Sequence, residues 1–390
     1  MRALCWEGAD RLAVREVPDP ELRNAHDMIV RVRRSATCGA DLSLLAGRVP
    51  GLAAGDVLGH EFLGEVAEIG PAVRRHRVGD RVVVCAAVAC GNCWYCRQRL
   101  YSCCDNGSTA ATATEAAWGQ PTGGCYGHPR AAGGFAGSHA EYVRVPYADV
   151  GAFAVPDPIS DDRAVFASDA APAGWMGAEL GAVRPGDVVA VWGAGAVGQL
   201  TAQAATALGA DRVIVIDRYP DRLRMAERHA GAETLHYEQT DVPAELRERS
   251  GGRGPDVCVE AAGVADGGGR PASLADRFTG RGGPVDDPLA VREAVHACRK
   301  GGTVFVSGSF TGFVDSFPLG AVMHKGLTLR SARQHGQRWI PMLLERMARD
   351  ELRTEHLATH RFGLDQGPAG YALFRDRADG CVRTVFTPHG

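Results

Sequence analysis

The chain has 390 residues, 45% of them hydrophobic and 23% charged, with a formal net charge of −3. This length predicts two to three domains, and the near-neutral balance excludes an electrostatic case for a nucleic-acid partner. No apolar run reaches the ~18 residues of a membrane span, and the start, MRALCWEGADRLAVREV, lacks the basic-then-apolar order of a signal peptide, so a cytoplasmic chain with no membrane partner is expected.

Up to about residue 155, short strand-like runs are punctuated by Gly and Pro. The runs 28–33, 63–69, 81–85 and 141–145 predict an irregular, mostly β domain. From about residue 170 the texture changes. Residues 188–192 form an apolar strand, followed by a Gly-rich turn and an Ala-rich helix ending near Gly209. Residues 213–216 are the next strand. The helix after it has Pro220 near its start and Gly231 just past its end, the usual asymmetry of helix termini. Residues 257–261 and 303–307 are further strands. Each is a continuous apolar or β-branched run, as expected of a parallel sheet covered on both faces. Residues 264–288 are polar and rich in Gly and Pro, a long loop that is either functional or disordered. After Lys325 come a strand-like LTLRSA, a helix at 340–349, and a tail of short strand-like pieces ending in CVRTVFTP.

The turn Gly193-Ala-Gly195-Ala-Val-Gly198 follows a buried strand and opens a helix, and Asp217 ends the next strand. That context is a dinucleotide-binding fingerprint. Gly193 allows the tight turn, Gly195 the approach of a pyrophosphate to the positive helix end, and Gly198 close helix–strand packing. Asp217 suits the ribose hydroxyls of NAD and repels a 2′-phosphate; the adjacent Arg218 is the contrary signal.

Six of the 12 cysteines fall between residues 85 and 104. Cys90, Cys93, Cys96 and Cys104 have the spacing of a closed tetrahedral zinc site. Spacing alone does not choose Cys104 over the adjacent Cys103. An iron–sulfur cluster competes, but the Cys-Pro that ends the usual ferredoxin run is absent. Three further signals are dispersed: Cys38 in TCGAD, His60-Glu61 in GHEFLGEV, and Asp169 in ASDAAP. Each alone has an ordinary reading, as core thiol, turn histidine or helix cap, and spacing does not unite them. Cys125 and His128, with His139 nearby, sit in a Gly-rich stretch that reads as a surface loop rather than a third metal site. Trp118 and Trp175 read as core packing.

The motifs TCGAD, GHEFLGEV, the four-cysteine lobe, AEYVRVP, WGAGAVG, VIDR and CVRTVF together resemble the zinc-dependent medium-chain alcohol dehydrogenase family over nearly the whole chain. The segment ASDAAPAGWMGA and the 264–288 loop make the chain most similar to the formaldehyde dehydrogenase branch. The resemblance implies a GroES-like β-rich catalytic domain at 1–168 with 331–390, a doubly wound Rossmann domain binding NAD at 169–330, and an active site between them. It implies that Cys38, His60 and Asp169 bind a catalytic zinc, that Glu61 can approach the metal, and that Asp41 orients His60. It further implies a structural zinc on Cys90, Cys93, Cys96 and Cys104. Arg383 would pair with the cofactor pyrophosphate, Val197 would back the nicotinamide, and the chain would be a homodimer or homotetramer acting on a small molecule.

One departure bears on the reaction. Members with ordinary alcohol chemistry carry Ser or Thr where this chain has Ala40, and many carry His where it has Ser43. The expected function is hydride transfer between NAD and a small alcohol, aldehyde or aldehyde hydrate. The missing hydroxyl keeps open reduction of a conjugated alkene or iminium, and the 264–288 loop a redox-neutral reaction with retained NAD.

Overall fold

The computed structural model describes residues 1–49, 51–263, 288–310, 314 and 316–389. The expected loop at 264–288 lies, but for Pro288, outside the described residues. The chain divides into two compact units, Met1–Pro172 with Gln334–Gly390, and Ala173–Arg333.

The first unit is built on a seven-stranded sheet. Its path runs His360–Gly363, Thr384–Thr387, Met28–Ala36, Glu61–Ile69, Arg81–Val84, Ala152–Ala154, with Tyr142–Val145 also paired to Met28–Ala36. A separate hairpin joins Arg2–Trp6 to Leu12–Glu16. Met28, Val30, Val32, Phe62, Val66, Val82 and Val84 alternate inward and pack as one core. The strand expected at 28–33 runs on to Ala36, although Arg33 and Arg34 interrupt its apolar pattern. Arg34 still pairs with Leu63 across the sheet while Arg33 sits at a bulge in the register, and their side chains leave the sheet to meet Asp161 and Asp162 at 2.8 and 3.1 Å.

Register positions the chemistry. Ala36 lies opposite both Glu61 and Val385. The ends of three neighbouring strands therefore deliver the Cys38 turn, the His60-Glu61 pair and Arg383 to one place. Past Ala36 the chain turns into the helix Gly39–Leu45, with Cys38 at its N-cap.

The second unit holds six parallel strands. Taken in chain order within the unit, they lie third, second, first, fourth, fifth, sixth across the sheet. This is the doubly wound order, which reverses direction beside the first strand, Val188–Trp192. The strand Val257–Glu260 is buried at every position, as its unbroken apolar run implied. Trp175 is buried, whereas Trp118, expected in the core, is 55% exposed at the end of the short helix Ala111–Trp118. Among the described residues, no helix is long and apolar enough to cross a membrane.

Candidate active site and metal clusters

The glycine turn of the second unit has the form its sequence implied. Gly193 has φ +100, in the left-handed region. A Cβ on Gly198 would lie 1.8 Å from the Gly193 carbonyl oxygen, so only glycine lets the helix Ala196–Ala207 start this close to the strand. A Cβ on Gly195 would meet nothing within 4 Å. That open space over a helix N-terminus fits an anionic phosphate group. Asp217 accepts hydrogen bonds from the Ala194 amide at 2.6 Å and the Arg218 amide at 2.6 Å. Its carboxylate therefore ties the end of the second strand to the turn. The Arg218 guanidinium donates to the Tyr219 hydroxyl at 2.9 Å and lies over its ring. Val197 is half-buried in the first turn of the helix.

In the first unit, the sulfurs of Cys90, Cys93, Cys96 and Cys104 all lie within 4.8 Å of one another. The fourth member is Cys104 and not Cys103. Backbone amides point at these sulfurs: Cys90 donates to Cys104 at 3.2 Å, Cys93 to Cys90 at 3.3 Å and Asn106 to Cys104 at 3.4 Å. Such donors favour thiolate. With the Cys96 thiol also donating to it, the Cys104 thiol is brought down to about 5. Four convergent sulfurs with amide support are the donor set of a closed zinc site.

Ligand atoms of Cys38, His60, Glu61 and Asp169 form a second cluster, again within 4.8 Å of one another. Asp169 Oδ2 is 3.9 Å from both Cys38 Sγ and His60 Nε2. Arg383 is buried beside this cluster, 3.4 Å from Glu61 Oε1 and 3.9 Å from Cys38 Sγ. Burial pushes the Glu61 carboxyl up to about 7 and the Cys38 thiol up to about 11. Glu61 Oε2 is buried with no hydrogen-bond partner among the described residues. A buried thiol, imidazole and two carboxylates, one with an orphaned oxygen, fit a divalent cation.

Behind His60 lies Asp41, the orienting residue the resemblance implied, and behind it a hydrogen-bonded chain that no motif signalled. Asp41 Oδ1 is 3.1 Å from His60 Nδ1. Asp41 Oδ2 accepts from the Cys38 amide at 2.8 Å and from the Tyr371 hydroxyl at 3.2 Å. The Tyr371 oxygen is 2.8 Å from His139 Nε2, and His139 Nδ1 is 2.7 Å from Ser35 Oγ, itself 2.7 Å from Ser138 Oγ. All these side chains are buried. Burial works against the Asp41 charge, but the His60 imidazole beside it holds its carboxyl well below the usual range. A carboxylate only accepts, so one donor direction runs from the serines to Asp41. Ser138 donates to Ser35, Ser35 to His139 Nδ1, His139 Nε2–H to Tyr371, and Tyr371 to Asp41. When His60 is neutral, the carboxylate beside Nδ1 favours the proton there, which turns the Nε2 lone pair to the cluster as in a ligating imidazole.

The half-buried Ala40 and Ser43 lie on the helix Gly39–Leu45. Cys125 corrects the surface-loop expectation. It is 7% exposed, and the His128 ring stands edge-on to His60 with centroids 5.2 Å apart.

Residues 24–157 match the alcohol dehydrogenase GroES-like domain, and residues 196–267 match the zinc-binding dehydrogenase family. An uncharacterised zinc-type alcohol dehydrogenase-like protein of Bacillus subtilis is 30% identical over 390 residues, all of both chains. A glutathione-independent formaldehyde dehydrogenase of Pseudomonas aeruginosa is 36% identical over 239 residues, covering 58% of this chain and 56% of that protein. The solved structure of an alcohol dehydrogenase from Thermus sp. ATN1 is similar with a TM-score of 0.81, at 33% identity and 99% coverage of each chain.

The buried chain makes stability pH-dependent. Burial holds the His139 imidazole down at about 4, below its ordinary 6.5. The unfolded chain therefore takes up this proton first as pH falls. The contribution is complete above about 6.5 and is lost as pH drops through about 4, on the order of 3 kcal/mol in all. His139→Gln should flatten the fall in Tm between pH 6.5 and 4 relative to wild type, measured by thermal unfolding. An equal slope in both proteins would refute it.

Proposed function

The chain belongs to the zinc-dependent medium-chain alcohol dehydrogenase family, and we propose that this oxidoreductase moves a hydride between NAD and a small alcohol or hydrated aldehyde. The observation that carries the proposal is the Cys38, His60, Glu61, Asp169 cluster with its orphaned carboxylate oxygen. In this reading Cys38, His60 and Asp169 hold the catalytic zinc, and Cys90, Cys93, Cys96 and Cys104 hold a structural one. Zinc at the first set supplies Lewis acidity toward a substrate oxygen, and NAD supplies the hydride acceptor.

The chain's own residues do the rest. Asp41 holds the His60 ring in its ligating orientation. Arg383 offsets the Glu61 charge and also serves the cofactor pyrophosphate. Gly193, Gly195 and Gly198 open the helix N-terminus to that pyrophosphate, Val197 backs the nicotinamide, and Asp217 receives the ribose hydroxyls and selects NAD. The hydrated-aldehyde option draws support from the likeness to the Pseudomonas aeruginosa protein. Ala40 favours a second reading, reduction of a conjugated alkene or iminium. A methyl group cannot pass on a hydroxyl proton, and those reactions need none at this position.

Three measurements test this. Protein purified without chelator should carry two zinc per chain, falling to one in Cys104→Ser and staying at two in Cys103→Ser; one zinc in wild type would remove the catalytic site from the proposal. NADH absorbance and product analysis across alcohols, aldehydes and enals then decide the substrate class. If the absent hydroxyl limits alcohol oxidation, Ala40→Ser should raise its rate about tenfold or more, and no increase would refute that role. We also infer a homo-oligomer. The strand Thr328–Ser331, last in its sheet, exposes Leu329, and the helix before it exposes Leu319 and Met323. Light scattering should give a mass above 41.2 kDa that Met323→Glu with Leu329→Glu reduces; a monomeric wild type would sink the inference.

A further inference from the structure

The turn Cys125-Tyr-Gly-His128 is built against the catalytic cluster. Gly127 has φ +62, and a Cβ there would lie 2.6 Å from the Gly59 amide nitrogen. The two backbones touch because position 127 carries no side chain, and Gly59 in turn leaves room for the His139 ring, which a Cβ there would meet at 2.6 Å. Cys125 is bridged to Ala87, and its amide donates to the Ala132 carbonyl at 2.8 Å. Tyr126, between Cys125 and Gly127, is buried in the sheet core, edge-on to Phe62 at 5.3 Å. The turn thus has little freedom to leave His60.

Its two polar side chains face that histidine. Ligand atoms of His60, Cys125 and His128 all lie within 4.8 Å of one another. His128 Nδ1 is 2.8 Å from the Tyr126 carbonyl oxygen. A carbonyl only accepts, so Nδ1 carries the proton and Nε2 the lone pair. A backbone carbonyl on the far nitrogen is how ligating histidines are usually held. Thiolate and imidazole are both ordinary ligands for zinc, and here one tight turn supplies one of each.

We propose that His60, Cys125 and His128 form a second coordination set, so that one divalent ion has two alternative positions sharing the His60 imidazole. This rests on the reading that Cys38, His60 and Asp169 bind the catalytic ion. His60 has one lone pair to give, since its Nδ1 faces Asp41, so the two positions exclude each other. They differ in chemistry. The first offers a thiolate, an imidazole and two carboxylates; the second offers a thiolate and two imidazoles. Moving to the second exchanges hard oxygen donors for a softer nitrogen donor and frees Asp169 and Glu61. Cys125 releases its thiol proton to solvent when it binds.

The test uses the full-length protein with zinc retained at the four cysteines and cobalt(II) at the other site. In the wild type the visible cobalt bands should report an N,S-rich average. His128→Gln and Cys125→Ser should each shift those bands. Asp169→Asn should keep cobalt within about tenfold of the wild-type affinity, because the second set survives. Adding His128→Gln to it should cost more than about a hundredfold. If the wild type takes up no cobalt beyond the cysteine site, the catalytic-metal reading itself fails. If it takes up cobalt and both single variants give superimposable spectra, the second set alone is overturned.

Discussion

Asp41 is a carboxylate with no solvent exposure, and the candidate site is arranged around it. An ionised carboxyl taken out of water is costly unless hydrogen bonds and opposite charge replace its hydration. Here the replacements are the Cys38 amide, the Tyr371 hydroxyl and the His60 imidazole. The same contacts cap the helix Gly39–Leu45, fix the Cys38 turn, anchor the helix Gly367–Asp376 through Tyr371, and orient His60. Removing the charge would loosen all four at once, which is why a single residue outside the cluster governs its geometry.

The two clusters are made in opposite ways. The four-cysteine lobe draws its ligands from 15 consecutive residues, 90–104. Its short helix, turns and amide-to-sulfur bonds are local, so the lobe needs little from the sheet to assemble. The Cys38, His60, Glu61, Asp169 set draws on three separate segments, the outermost 131 residues apart, and strand register brings its first two together. A one-residue slip between Met28–Ala36 and Glu61–Ile69 would turn Glu61 to the other face of the sheet. A site of the first kind suits a structural role. The second kind can couple the reacting centre to distant parts of the fold.

His60 is central to that coupling. One nitrogen faces a carboxylate backed by a buried chain of hydroxyls and imidazole, and the other faces a crowd of thiol, carboxylate and imidazole groups. The Gly127–Gly59 contact brings the Cys125–His128 turn into that crowd. The region around the proposed metal ligands is therefore richer in donor atoms than one ion requires, and Ala40 leaves it poorer in hydroxyls than the family pattern.

What the sequence determined by itself was whatever depends on nearest neighbours along the chain. The Gly193–Gly198 turn was legible because glycine, strand and helix are contiguous. The cysteine lobe was legible because a metal-ligand spacing is local. The unbroken apolar runs at 188–192 and 257–261 announced a buried parallel sheet. Tertiary structure alone decided the rest. Tyr371 meets Asp41 across 330 residues and His139 across 232, and bonds between such distant residues leave no periodicity or spacing to read. Cys125 and His128 looked like loop residues because Gly-rich sequence usually lies on the surface. In this fold Gly127 lets its backbone touch that of Gly59, and the contact carries the turn inward to His60.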